Sequence, residues 1–196
     1  MVQPRQVLAG LIAMLAIVGV AIAVSMGLER FFSTPLPEET GTVTLPVASP
    51  DTLAHINATL FYASQDGKAL VGVRREVPLE EGRIEQGRQI LMLALTPAPS
   101  GYVSTIPRGT TLKGFYVTDR GDAFIDLSQH VSSGHPGGSY AELLTVSALV
   151  NDVMANLPTV QRVQILIEGR QVDSLAGHVD LRRPLQRNTS LLATGR

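Results

Sequence analysis

Three carboxylates, Asp119, Asp122 and Asp126, stand close together in a chain with only 17 acidic residues. Paired carboxylates can act as general acid and base when their side chains converge. Here the residues between Asp119 and Asp122 have the composition of a β-turn, and strand-like alternation flanks them at 112–117 and 123–127. We therefore predict a hairpin with two carboxylates at its exposed tip and Asp126 further along the second strand, an arrangement in which the three do not converge.

Two histidines and two arginines are the other candidates for chemistry. His130 and His135 flank a Gly/Ser loop and, with Asp126, form a candidate metal-binding set. A closed metal site needs more ligands at defined geometry, so we favour a solvated loop. Arg74 and Arg75 could meet an anionic partner, but alternation along a strand sends their side chains to opposite faces. We assign no catalytic, cofactor-binding or metal-binding residue.

Composition excludes several classes of protein. The net charge of −1 comes without a basic stripe, which argues against nucleic-acid binding. The chain has no cysteine, so disulfides, thiolate nucleophiles, cysteine zinc sites and a lipid on an N-terminal cysteine are excluded. No nucleophile-elbow motif or phosphate-binding glycine motif occurs in the sequence. The composition therefore favours a protein without a cofactor.

The N-terminal region predicts attachment to the cytoplasmic membrane. The segment 7–28 has no charged side chain and is long enough to cross a bilayer once, with the N-terminus inside and the remainder outside the cytoplasm. A signal peptide cleaved after Ala21-Ile22-Ala23 is the competing interpretation. Both interpretations export the body of the chain. We divide the sequence into an anchor at 1–28, a proline-rich linker at 29–56, a domain at 57–187 and a tail at 188–196.

The domain shows strand and helix patterns in turn. Strands are predicted at 59–62, 70–77, 112–117, 123–127 and 160–167, and helices at 79–95 and 139–156. Gly87, in the middle of the first helix, predicts close packing against the sheet because glycine weakens a helix interior. Ser139 and Glu142 have the spacing of a capping box at the start of the second helix. Leu181 and Leu185 are expected to fold back onto the body.

The order of these elements predicts an α+β fold of the split βαβ sandwich type. In ββαββαβ order, the strands would form a mixed sheet with two helices packed on one face. One transmembrane helix would precede this body.

Several short segments together carry a family resemblance. They are Leu60-Phe61-Tyr62, 70–77, 104–110, Phe124-Ile125-Asp126-Leu127-Ser128, Gly138-Ser139, Val150-Asn151-Asp152 and 163–169. In order and spacing, over about residues 57–187, they resemble the GerMN domain of bacterial envelope and sporulation proteins. Many relatives are lipoproteins held by an N-terminal cysteine, and here the predicted span takes that role.

The resemblance implies a non-catalytic, membrane-attached scaffold of the cell envelope with a sporulation or germination role. Its expected partners are the membrane, other envelope proteins or the cell wall, and further copies of itself, but no nucleic acid. The main alternative is a peptidoglycan or polysaccharide binder, whose groove would be lined by tyrosines drawn from Tyr62, Tyr102, Tyr116 and Tyr140. A hydrolase that uses Asp126 and His130 is the least favoured hypothesis.

Overall fold

The computed structural model describes residues 54–193, which form a mixed α+β fold. Its elements are β1 (His55–Ala63), β2 (Leu70–Pro78), α1 (Arg83–Ala94), β3 (Leu112–Val117), β4 (Asp122–Leu127), α2 (His130–Ser133), α3 (Ser139–Asn156), β5 (Arg162–Ile167) and β6 (Arg170–Gln171). The predicted anchor, the competing cleavage site and the linker up to residue 53 lie outside the described residues. Within residues 54–193, no helix combines the length and apolar character needed to cross a membrane.

The strands form two sheets, so the prediction of one mixed sheet was wrong. β1 and β2 make an antiparallel pair, and β3, β4, β5 and β6 make a second sheet in that order. In the second sheet β4 and β5 are parallel, while β3–β4 and β5–β6 are antiparallel. The predicted hairpin of β3 and β4 is therefore confirmed, but Asp122, which was predicted at its exposed tip, is the first residue of β4 and is half-buried.

Hydrogen bonds along the edge of β1 that faces away from β2 explain why the first pair stays separate. The backbone N–H groups of Thr59 and Phe61 donate to side chains of α3, and Ala63 exchanges backbone hydrogen bonds with Val103. These contacts occupy the edge at which a third strand would have to pair. Long-range side-chain contacts of this kind leave no local pattern in a sequence.

Most of the core lies between the helices and the larger sheet. Ile125, Val163 and Ile165 on the two central strands are fully buried, as their alternation predicted. The helix α1 packs on β3, α3 packs on β5 and β1, and the two helices contact each other. The core therefore has one helical layer over the sheet.

The first helix is shorter than predicted. It begins at Arg83 rather than at Leu79, because the side chain of Gln86 accepts a hydrogen bond from Glu80 N and donates one to Pro78 O. Gly82 precedes the helix with φ 92°, a conformation that favours glycine. Three-to-four spacing predicts a buried stripe of Ile84, Gly87, Leu91, Ala94 and Leu95 on this helix. In the structure Ile84 is exposed, and Ile90, which that stripe leaves out, is fully buried.

The prediction for Gly87 is confirmed. Phe115 on β3 is 1% exposed and lies directly against this glycine. A Cβ atom built on Gly87 would lie 2.8 Å from Cδ1 of Phe115 and closer still to Cε1. The glycine therefore sets the approach of α1 to the sheet.

The predicted capping box at the start of α3 was wrong. Ser139 is already helical, Gly138 occupies the N-cap position with φ 87°, and no side chain caps the helix. Glu142 instead points into the protein and is fully buried. The helix ends at Asn156 as predicted. Its predicted apolar stripe is buried except for the half-buried Leu143; the other members are Val146, Leu149, Val150, Val153 and Leu157.

The chain after β6 folds back onto the body. Leu181 is fully buried, and Leu185 exchanges backbone hydrogen bonds with Val163 of β5, as expected for both residues. Asn188 O then accepts a hydrogen bond from the side chain of Asn151, and Leu192 forms a parallel bridge with Leu70 of β2. Residues 174–193 thus connect the larger sheet, α3 and β2.

Candidate functional site

The three hairpin carboxylates have three different partners. Asp119 pairs with Arg83 at 2.9 Å, and Asp122 pairs with Arg162 at 2.8 Å. Asp126 accepts a hydrogen bond from Gly169 N at 2.8 Å. Each carboxylate therefore holds a neighbouring element, and the three do not share a cleft.

The histidines are also placed apart. His130 lies in α2, against Gly109 and Gly134, whereas His135 lies in the next loop and contacts α3. Among residues 54–193, no group of three His, Cys, Asp or Glu side chains is placed to hold a metal ion. The candidate set with Asp126 is thus not brought together in this part of the chain.

His135 joins the loop before α3 to the helix itself. Its Nδ1 accepts a hydrogen bond from Gly137 N at 3.0 Å, and its Nε2 lies 3.1 Å from Oγ1 of Thr145. The hydroxyl of Thr145 donates to Thr105 O at 2.7 Å, which adds the loop before β3. Burial lowers the pKa of His135, although the nearby charge of Glu142 acts in the opposite direction. The ring therefore favours its neutral form, which leaves Nδ1 free to accept.

Glu142 anchors the loop that follows β6. Its carboxylate accepts hydrogen bonds from the backbone N–H groups of Leu175, Ala176 and His178, each at 2.8 to 2.9 Å. Burial alone would raise the pKa of Glu142, but these donors outweigh that effect and the pKa is lowered. The side chain thus stays charged and holds a loop more than thirty positions away in sequence.

Asp152 and Asn156 complete the hydrogen bonding of β1. Oδ1 of Asp152 accepts from Phe61 N at 2.7 Å, while the Asn156 amide accepts from Thr59 N and donates to Thr59 O, both at 2.8 Å. Complete burial raises the pKa of Asp152 well above its usual range. Sequence reasoning missed this role, although polar residues next to the apolar stripe of α3 were a visible signal.

Two variants should separate the hydrogen bond of Asp152 from its ionisation. Asp152→Ala leaves the buried N–H of Phe61 without an acceptor and should lower the free energy of unfolding by about 1–2 kcal/mol. Asp152→Asn keeps an acceptor oxygen and should be much milder. Chemical denaturation of both variants would test this difference.

The raised pKa of Asp152 also determines how its contribution to stability depends on pH. The stabilising contribution of neutral Asp152 is complete below the unfolded pKa, about 4, and is lost as the pH rises toward the folded pKa. The stability of Asp152→Asn relative to the native chain should therefore increase with pH. A relative stability that decreases over that range would contradict the assignment.

A shallow groove lies between the loop before β3 and the start of α3. One end is a cavity of about 350 Å³ lined by Tyr102, and the adjoining cavity of about 260 Å³ is lined by Tyr140. The two share Val103, Ser104, Thr105 and Pro136. No Asp, Glu or His side chain lines either cavity. The groove therefore offers aromatic and backbone contacts rather than acid–base groups.

Two of the four tyrosines predicted to line a groove do so. Tyr62 is 2% exposed and packs near Tyr102, with ring centroids 6.4 Å apart. Tyr116 is 59% exposed but lies on β3 and lines neither cavity. The groove thus draws on Tyr102 and Tyr140, and the other two candidate tyrosines lie elsewhere in the domain.

The arginine pair follows the alternation of β2. Arg75 is half-buried and donates from Nη1 to the hydroxyl of Tyr62 at 3.0 Å, whereas Arg74 is exposed. An anionic partner would therefore meet one arginine, not two.

In residues 54–193, every buried side-chain nitrogen or oxygen has a hydrogen-bond partner.

The sequence matches the family described as Germane, sporulation and spore germination, over residues 59–173. No curated protein matches it. The fold is similar to the tandem GerMN domains of the sporulation protein GerM from Bacillus subtilis, with TM-score 0.57 and 16% identity over 67% of this chain and 46% of that one.

The first GerMN domain of the same protein gives TM-score 0.54 and 16% identity, covering 67% of this chain and 98% of that one. A candidate lipoprotein from Clostridium perfringens gives TM-score 0.49 and 21% identity, covering 70% of this chain and 91% of that one. At these identities the two GerM structures establish the likeness of the fold.

Proposed function

Because this chain belongs to the Germane family of sporulation and spore germination domains, we propose that it is a membrane-anchored, non-catalytic interaction module of the cell envelope. In this proposal the segment 7–28 is the anchor, the proline-rich linker that begins at residue 29 forms the tether, and the described domain meets other envelope proteins. The apolar N-terminal sequence supports the anchor, since it has the length of one bilayer crossing.

The proposal that the module is non-catalytic rests on the contacts that its ionisable side chains make. Glu142 and Asp152 are buried against backbone N–H groups, and the hairpin carboxylates pair with arginines or with a turn. A general acid and base must instead reach a common substrate in a cleft. The arrangement in residues 54–193 supports a role in binding and assembly.

Photo-crosslinking in intact cells would test the interaction role. A benzophenone amino acid would be placed at exposed sites of the full chain, first at Val103 and Tyr140 beside the groove and then at Tyr116 on β3. We expect adducts of defined mass with other envelope proteins from at least one site and not from the others. Failure of every site to capture a protein would contradict the proposal.

Binding to the cell wall is the second candidate, and the groove favours it. Tyr102 and Tyr140 line adjoining cavities without a carboxylate between them, and sugar rings stack readily on aromatic side chains. The full chain in detergent would be sedimented with purified peptidoglycan. Binding that is lost in Tyr140→Ala but kept in Tyr116→Ala would support this candidate, whereas equal loss in both would oppose it.

A further inference from the structure

The outer edge of β2 is unpaired along most of its length in the described residues. On its inner side β2 pairs with β1 from Leu70 to Pro78. On its outer side Leu70 alone is covered, by backbone hydrogen bonds with Leu191 and Ala193. Residues 72–76 therefore present an edge to which another strand can be added.

The hydrogen bonds around the pair show which groups face outward. In an antiparallel ladder, the N–H and C=O groups of two directly opposite residues either point toward each other, as a hydrogen-bonded pair, or point away from each other. Phe61 and Thr59 donate away from β2, to Asp152 and Asn156, and their ladder partners are Gly72 and Arg74. Gly72, Arg74 and, by alternation, Glu76 thus direct their N–H and C=O groups to the outer edge.

Within residues 54–193 this edge is neither short, bulged nor covered beyond Leu70, although it carries charged side chains of the kind that often protect an edge strand. Natural edge strands are often short, bulged, or interrupted by proline or inward-pointing lysine. β2 is nine residues long, keeps a regular register with β1, and has its proline at the last position. Gly72 is exposed, and the atoms nearest to a Cβ built on it belong to the β1 side chains of Thr59 and Phe61. The backbone at this edge is therefore accessible.

The charged side chains on the edge of one β2 strand are complementary to those on the edge of a second, antiparallel β2 strand. Arg74 and Glu76 are both exposed, lie on the same face of β2, and pair with no other charged side chain in residues 54–193. In an antiparallel pair of two β2 strands centred on Arg75, Arg74 of each copy lies opposite Glu76 of the other. Opposite charges in such cross-strand positions stabilise the pair.

From this geometry we propose that β2 pairs with β2 of a second copy of this chain, antiparallel and centred on Arg75. The proposal rests on the proposed function and names one partner of the module. Each Arg74–Glu76 position exchanges two backbone hydrogen bonds, and the two β1–β2 pairs become one four-stranded sheet across a twofold axis.

Neighbouring registers are less favourable. Centring on Arg74 would place two Arg74 side chains directly opposite each other, and centring on Val73 would move the edge into the segment that already covers Leu70. In the proposed register the two Arg75 residues face each other on the opposite side of the sheet. In each copy, however, the Arg75 guanidinium is held over its own β1–β2 pair by its hydrogen bond to the hydroxyl of Tyr62.

The contact is short, so membrane attachment matters to its strength. A ladder of a few residues buries less surface than a standard stable interface. Two chains confined to one membrane meet at a much higher effective concentration than free chains do. The pairing should therefore be populated on the membrane and weak in dilute solution.

Cysteine crosslinking in membranes tests the register. Because the chain has no cysteine, Arg75→Cys introduces a single thiol at the proposed twofold axis. Mild oxidation of membranes that contain the full-length variant should give a disulfide-linked dimer. Tyr116→Cys, at a position 59% exposed on β3, is the matched control and should stay monomeric. Equal dimer yields from the two sites would overturn the proposal.

Charge exchange on the Arg75→Cys background tests the specific pairing. Arg74→Glu alone and Glu76→Arg alone each place like charges opposite each other and should lower the dimer yield roughly tenfold. When the two variants are co-expressed with different tags, the mixed dimer regains both opposite-charge pairs and should recover most of the yield. A mixed dimer that stays as weak as the single variants would overturn the register.

The two proposals fail in different ways. If the β2 pairing is wrong but the module function is right, Arg75→Cys gives no dimer while the photo-crosslinks to other envelope proteins persist. If the module function is wrong, the photo-crosslinks are absent whatever the dimer yield.

Discussion

Glu142→Ala should lower the free energy of unfolding by at least about 3 kcal/mol, because it leaves three backbone N–H groups without their acceptor. The three belong to the loop at 175–178, which these hydrogen bonds join to the helix α3. Loss of the carboxylate should release that loop before the sheets unfold. Chemical denaturation gives the energy, and hydrogen exchange at Leu175, Ala176 and His178 locates the effect.

Ser139→Ala is the matched control for this prediction. If Ser139 and Glu142 formed a capping box, both variants would weaken the start of α3, whereas the structure gives Ser139 no capping hydrogen bond. We expect Ser139→Ala to change the stability by less than about 0.5 kcal/mol. Equal losses in the two variants would contradict the buried role of Glu142.

The pH dependence gives a second check on Glu142. Since its folded pKa is lowered, its stabilising contribution is complete above the unfolded pKa, about 4.3, and is lost as the pH falls through the folded value. The difference in stability between the native chain and Glu142→Ala should therefore shrink in acid. A difference that stays constant from neutral pH into acid would show that the charge is not involved.

Gly87→Ala should destabilise the domain by about 1–3 kcal/mol, against the direction that helix propensity alone predicts. In an exposed helix the same substitution gains about 1 kcal/mol. Here the added Cβ overlaps the ring of Phe115, which is fixed in the core of the larger sheet. Thermal and chemical denaturation of the variant would measure the sign directly.

A double-mutant cycle with Phe115→Leu tests the cause. Phe115→Leu should be destabilising by itself because it leaves a cavity, but it makes room for the methyl group that Gly87→Ala adds. The double variant should therefore be more stable than the sum of the two single effects predicts. Additive effects, or a stabilising Gly87→Ala, would show that the close contact does not set the position of α1.

Local patterns in the sequence predicted most of the elements. The alternation in β4 and β5, the turn between β3 and β4, and the end of α3 were recovered because each depends on neighbouring residues. Gly87 was interpreted correctly for the same reason, since its cost to the helix is local. The family resemblance is confirmed over most of the predicted domain.

Features that depend on distant residues were missed. The separation of β1 and β2 into their own sheet depends on Asp152 and Asn156, which lie more than ninety positions away from their partners. Glu142 fitted a local capping motif, but its donors come from a loop that follows the next strand. A buried ionisable side chain can therefore lie at a position that a local sequence motif also explains. The motif alone does not reveal its structural role.

The topology of the full chain is the most direct test of the envelope assignment. A recognition sequence for a specific protease would be inserted after Gly41, and in a second chain before Val7, at the other end of the predicted anchor. Protease added outside intact spheroplasts should cut the first chain and release the domain from the membrane, and it should leave the second chain intact. Protection of both sites until the membrane is dissolved would contradict an envelope module held by its N-terminal segment.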